Sequence, residues 1–167
     1  MRRALAVAMG VSVNVILSWI ISYLRLPLYL DTIGTIATAA VGGLMPGILT
    51  AVVTNTICSI FNEFSLYYTL INVLIAVCTA WFVKYKKFEK KRNIPVFIMV
   101  LALLGGGLGM GFQWILIGEP QFADIAQAAE ALSGQPGMGY FLASVLVNIG
   151  LNIVDKEIGR ASCRERV

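Results

Sequence analysis

The residues of this chain able to do chemistry are few, and most stand in apolar surroundings. Asp31 lies inside LPLYLDTIGTIATAAVGG, residues 26–43, with Thr32 and Thr35 close behind. An ionisable side chain in such a run is costly in a bilayer unless it faces protein or water, which makes it a functional candidate. Aspartate is also a preferred helix N-cap, and Pro27 shortly before it suits a helix beginning there, so capping, packing and ligand contact are all open to Asp31. Asn62 and Glu63 sit in the polar turn FNEFS, and Gln113 beside Trp114 pairs an amide with an aromatic plate. Asn148 and Asn152, spaced i, i+4, share one helix face. Thr54, Asn55, Thr56 and Asn72 add neutral polar groups inside apolar stretches.

These residue types bind rather than catalyse. There is no histidine, no clustered carboxylate pair and no activated nucleophile, so no enzyme, resident metal or cofactor is expected. Cys58 and Cys78 fall in apolar runs without CxxC spacing and read as packing residues. GGGLGMG, residues 105–111, lacks the GxGxxG pattern and the lysine of a phosphate loop, and reads as a close-packing surface. Apolar walls with a few placed polar groups are the make-up of a small-molecule pocket. The candidate substrate-binding set is therefore Asp31, Thr35, Asn62, Glu63, Asn72, Gln113, Trp114, Asn148 and Asn152. Taken singly, each membrane asparagine or glutamine reads first as interhelical glue worth about 0.6–2 kcal/mol, and only their distribution points to a pocket.

The elements that must position these groups are membrane helices. The chain has 167 residues, 58% hydrophobic and 13% charged, with mean hydropathy +0.80. Soluble domains carry about a quarter charged residues. Apolar runs predict six helices, over residues 4–24, 28–41, 44–61, 66–83, 94–117 and from 138 onward. The runs are continuous and do not alternate, which excludes a membrane β-barrel. The fold expected is all-α, a polytopic six-helix transmembrane bundle. Arg2 and Arg3 before the first helix, and KYKKFEKKR, residues 84–92, fall on one face of such a bundle, which places both in the cytoplasm. The acidic loop with Glu119, Asp124 and Glu130 falls outside. The net charge of +4 thus reflects topology and contact with anionic lipid rather than nucleic acid. Ala4 with Ala8, and Ala6 with Gly10, give small-xxx-small spacing on the first helix, suited to close helix packing.

The final residues, 157–167, EIGRASCRERV, change character abruptly and resemble the in-frame translation of a sequencing adapter. They are expected to be non-native, with the last helix truncated near Lys156 and residues 1–156 forming the natural domain.

The run LPLYLDTIGTIATAAVGGLMPGILTAVVTN, the later YTLINVLIAV and the closing NxxDK of Asn152–Lys156 resemble the substrate-binding (S) component of energy-coupling factor (ECF) vitamin transporters. The resemblance covers residues 4–156 and rests on the order of these motifs. It implies six helices, no catalysis, a bacterial cell membrane, and capture of a vitamin or related micronutrient at the outer face. The partners it implies are a transmembrane coupling (T) protein and two ATPase subunits. By position, Ala4 and Ala8 match the family's contact with the coupling protein, and the loops after helices 1, 3 and 5 match its outer gate. Trp19, Trp81, Trp114 and the tyrosines lean slightly toward a flat, riboflavin-like ligand. Related modules also front histidine-kinase receptors, so a truncated sensor domain is the alternative.

Overall fold

A computed structural model describes residues 2–24, 30–85, 92–120, 122–134 and 138–164, with backbone only for Arg2, Glu63, Asp155 and residues 157–164. The described chain is helical, with no strand in it. Helix α1 is Arg2–Leu24, and a 3-10 turn, Leu30–Thr32, leads into α2, Ile33–Gly42. Helix α3 is Leu44–Cys58, and a second 3-10 turn, Glu63–Leu66, precedes α4, Thr69–Lys84. One long helical run then comprises α5, Asn93–Ala102, a π-helical segment, Leu103–Leu108, and α6, Gly109–Leu116. Helix α7 is Ala123–Ser133 and α8 is Tyr140–Arg164.

Among the described residues, three helical runs are long and apolar enough to cross a membrane: Arg3–Leu24, Phe64–Lys84 and Asn93–Leu116, of 22, 21 and 24 residues. Three shorter apolar helices accompany them, Leu30–Gly42, Leu44–Cys58 and Tyr140–Val154. The distribution of polarity is inverted relative to a water-soluble bundle. Asn14, Thr35, Thr54, Asn55, Gln113, Asn148 and Asn152 are almost fully buried, whereas Leu5, Met9, Ile16, Ile60 and Ile115 are each more than half exposed. Exposed apolar surface on this scale needs a cover, and lipid provides one.

Small residues set the closest contacts. A methyl group on Gly34 would strike the Gly10 carbonyl oxygen, so α1 and α2 touch backbone to backbone. The one-residue link between α2 and α3 is Gly43, at φ 90° and ψ −172°, a conformation essentially reserved for glycine. Pro46 follows in the first turn of α3, where its missing N–H costs nothing. On the other side, Gly106 meets the α8 backbone at Asn148 and Ile149. An apolar cluster of Ile71, Ile75, Phe82, Phe97 and Leu101 joins α4 to α5, with the Phe82 and Phe97 rings 4.9 Å apart.

Three expectations change. The third helix ends at Cys58, not residue 61, because the backbone turns there and the Asn62 side chain caps the next 3-10 turn by accepting from Phe64 N–H. The fifth helix is not regular but carries the π segment at its glycines. The loop after it holds α7, built from good helix formers, ADIAQAAEALS, with Ile125 and Ala129 buried one turn apart. The backbone of α8 runs unbroken through residue 156 to Arg164. Arg25, Pro27 and the lysines at 86, 87, 90 and 91 lie outside the described residues.

Candidate functional site

Helix α2 supplies the first wall of a cavity because it is short. With its 3-10 turn it covers residues 30–42, about 20 Å at ~1.5 Å per residue, against about 30 Å for a bilayer core. Its N-terminus therefore starts beside Asn14, midway along α1, inside the bundle. A helix start buried in this way leaves N–H groups in need of partners. Asn14 meets that need: Gly34 N–H donates to Asn14 Oδ1 at 2.6 Å, while Asn14 Nδ2 donates to the hydroxyls of Thr35 at 3.0 Å and Thr54 at 3.2 Å. The residue at the N-cap position is Thr32, which makes no capping bond. Asp31 is one residue further out.

Around this start the helices leave a cavity of about 100 Å³. Asp31 and Thr32 line it from the 3-10 turn, Ser18 and Ser22 from α1, and Asn55 from α3. Asn72 comes from α4, Gln113 from α6, and Asn152 with Lys156 from α8. Tyr68 and Phe122 are its aromatic walls, and Ile21, Ile71 and Ile75 are among its aliphatic ones. A polar chain crosses it: Asn72 Nδ2 donates to Asn55 Oδ1 at 2.9 Å and reaches Asp31 Oδ2 at 3.5 Å. Opposite, Lys156 is only 6% exposed, and its ammonium donates to Thr32 Oγ1 at 2.7 Å. Asn55 Nδ2 and Asn152 Oδ1 are buried with no hydrogen-bond partner. Among the described residues, no group of three or more side chains suited to a metal ion converges.

Of the residues singled out from sequence, Asp31, Asn62, Asn72, Gln113 and Asn152 meet at this cavity. Thr35 does not line it; its hydroxyl accepts from Asn14 within the α1–α2–α3 contact. Asn148 is turned to the π segment, where its Nδ2 donates to Gly106 O at 3.0 Å. A π segment disturbs the regular carbonyl pairing of its helix, and this side chain satisfies one of its carbonyls. Trp114 packs edge-on against Tyr140 and Phe141 and donates to Ser144 Oγ at 3.0 Å. The side chain of Glu63 lies outside the described residues. None of Trp19, Trp81 and Trp114 lines the cavity, whereas Tyr68 does.

Sequence reading missed Asn14 and Lys156. Asn14 sits mid-run with only the small hydroxyls of Ser18 and Ser22 in register, and the crossing of α1 and α2 gives it its partners. Lys156 carried a signal, a lysine ending the NxxDK motif on the face of Asn152, at i+4. Ala4 and Ala8 lie elsewhere, exposed on α1, where with Val7, Val11, Leu49 and Val53 they line an open groove between α1 and α3.

Compared with protein-family models, curated proteins and solved structures, the chain matches none.

Proposed function

We propose that this protein is the substrate-capture (S) component of an ECF-type transporter, a six-span protein of the cell membrane with a cytoplasmic N-terminus. In this reading it binds a vitamin or related micronutrient at its outer side. A coupling protein and two ATPases drive uptake, and the chain itself performs no reaction. The observation that carries the proposal is the cavity at the start of α2. It is lined by polar groups from six helices or their leading turns, with a buried donor and a buried acceptor left unpartnered, in a chain otherwise sheathed in apolar side chains. Apolar walls with a few placed polar groups are what a small-molecule site needs. The shallow groove at Ala4 and Ala8 adds support, since small residues beside an apolar cleft admit a partner helix.

The test is equilibrium binding of a vitamin panel to the full chain in detergent, followed by purification from membranes that also contain the coupling protein and the ATPases. One-site saturable binding, with those subunits co-purifying, is the expected result. Binding without any such subunit favours the receptor-sensor reading, and no binding across the panel counts against capture.

A further inference from the structure

Two charged side chains line the cavity, Asp31 from the 3-10 turn and Lys156 from α8. Each is bonded to a wall other than its own. Lys156 reaches from α8 to the turn, where its Nζ donates to Thr32 Oγ1 at 2.7 Å. Asp31 Oδ2 accepts from Asn72 Nδ2 of α4 at 3.5 Å, the long limit of a hydrogen bond. All four residues line the cavity, and each bond joins two of its walls, which puts the charged heads at its boundary. Asp31 and Thr32 are adjacent in the chain, so a positive and a negative charge stand at one turn.

Charges inside a membrane bundle are costly and mark the path or seat of a substrate. These two cancel, so a molecule with net charge would carry an uncompensated charge into a low-dielectric interior. A molecule without charges leaves the dipole of the pair unmatched. A zwitterion meets both conditions, since it is neutral overall and offers an anion to Lys156 and a cation to Asp31. Because the two protein charges stand at one turn, the ligand's charges must be only a few bonds apart. Volume points the same way. The cavity holds about 100 Å³, less than the roughly 150 Å³ of an apolar cavity that takes benzene, so its occupant is compact.

We infer that the cavity takes a compact zwitterion, its carboxylate received at Lys156 and its ammonium, primary to quaternary, at Asp31. Amino acids and betaines have this chemistry; simple carboxylates, amines and uncharged rings do not. The inference rests on the capture reading and narrows it, and the two can fail separately.

The experiment follows thermal unfolding of the full chain in detergent with glycine betaine, L-proline, tert-butylacetate or choline, beside the vitamin panel. Tert-butylacetate keeps the carboxylate of betaine without its positive nitrogen, and choline keeps the cation without the carboxylate. Saturable stabilisation by betaine or proline, and not by the two singly charged probes, is expected. Saturation separates binding from the general osmolyte effect, which grows with concentration and ignores the variants. In Lys156→Met and in Asp31→Asn the affinity for the zwitterion should fall about tenfold or more. The first variant should then treat betaine like choline, and the second should treat it like tert-butylacetate. Equal saturable stabilisation of wild type and both variants would overturn the assignment to this pair. Singly charged probes as effective as the zwitterions, or stabilisation by non-zwitterionic vitamins alone, would overturn the ligand class and leave capture standing. No saturable stabilisation by any probe or vitamin would overturn both. Should a variant fail to fold, the ranking of the four probes on the wild type decides.

Discussion

Asn14 joins three helices through one amide. Its carbonyl satisfies an N–H in the first turn of α2, and its amino group reaches hydroxyls on α2 and α3. Asn14→Ala removes all three bonds at a fully buried position and strands the Gly34 N–H. The expected cost is about 1–3 kcal/mol, read as a shifted midpoint in denaturant unfolding of the detergent-solubilised protein. A loss below about 0.5 kcal/mol, the range of ordinary surface changes, would mean that Gly34 finds another acceptor. Single-residue reading found Asp31 easily, because a carboxylate in an apolar run stands out. It passed over Asn14, since an asparagine among valines looks like any other piece of interhelical glue until its partners are known.

Individual helices were legible from apolar run length, and their irregularities were not. GGGLGMG announces close packing without saying which glycine is at the contact. A methyl at Gly106 would come within 2.6 Å of Ile149 Cα and 2.8 Å of the Asn148 carbonyl oxygen, backbone atoms that cannot turn aside. A methyl at Gly111 meets nothing within 4 Å. Gly106→Ala is therefore expected to destabilise by about 1–3 kcal/mol through overpacking. Gly111→Ala should be neutral or stabilise by up to about 1 kcal/mol through helix propensity. Thermal unfolding of the two variants side by side checks the pair, and similar losses in both would contradict the contact between the π segment and α8. Helix α7 was missed for a different reason: a helix-forming composition in a polar loop gives no signal of membrane-span length.

At the scale of the molecule, the groove beside Ala4 and Ala8 and the cavity beside Asp31 share no lining residue. Ala8→Trp should fill the groove and block assembly with a coupling protein while ligand affinity stays within about twofold, a difference under roughly 0.5 kcal/mol. Co-purification and binding assays on the same preparation separate the two effects. Lost binding with an unfolded elution profile would make Ala8 an internal packing residue. The topology has its own test. In a background without native cysteines, labels at positions 87 and 124 are expected on opposite sides of the membrane, with the N-terminus on the side of 87. A common side would end the six-span arrangement.

Composition and run length determined by themselves that the chain is all-helical and apolar enough for a membrane, because the hydrophobic demand of each span is met locally, residue by residue. They also picked out Asp31, Asn62, Asn72, Gln113 and Asn152, since a polar group inside an apolar run is visible without knowing its neighbours. Only the tertiary structure decided which of these groups meet. The start of α2 lies midway along α1, where Gly10 and Gly34 let two backbones touch, and that depth brings Thr32 to Lys156, 124 residues away. The same packing turns Asn148 to the π segment and Thr35 to Asn14, outside the cavity lining. Hydrogen-bond partners are a property of the crossing of helices, and periodicity along one helix does not contain it.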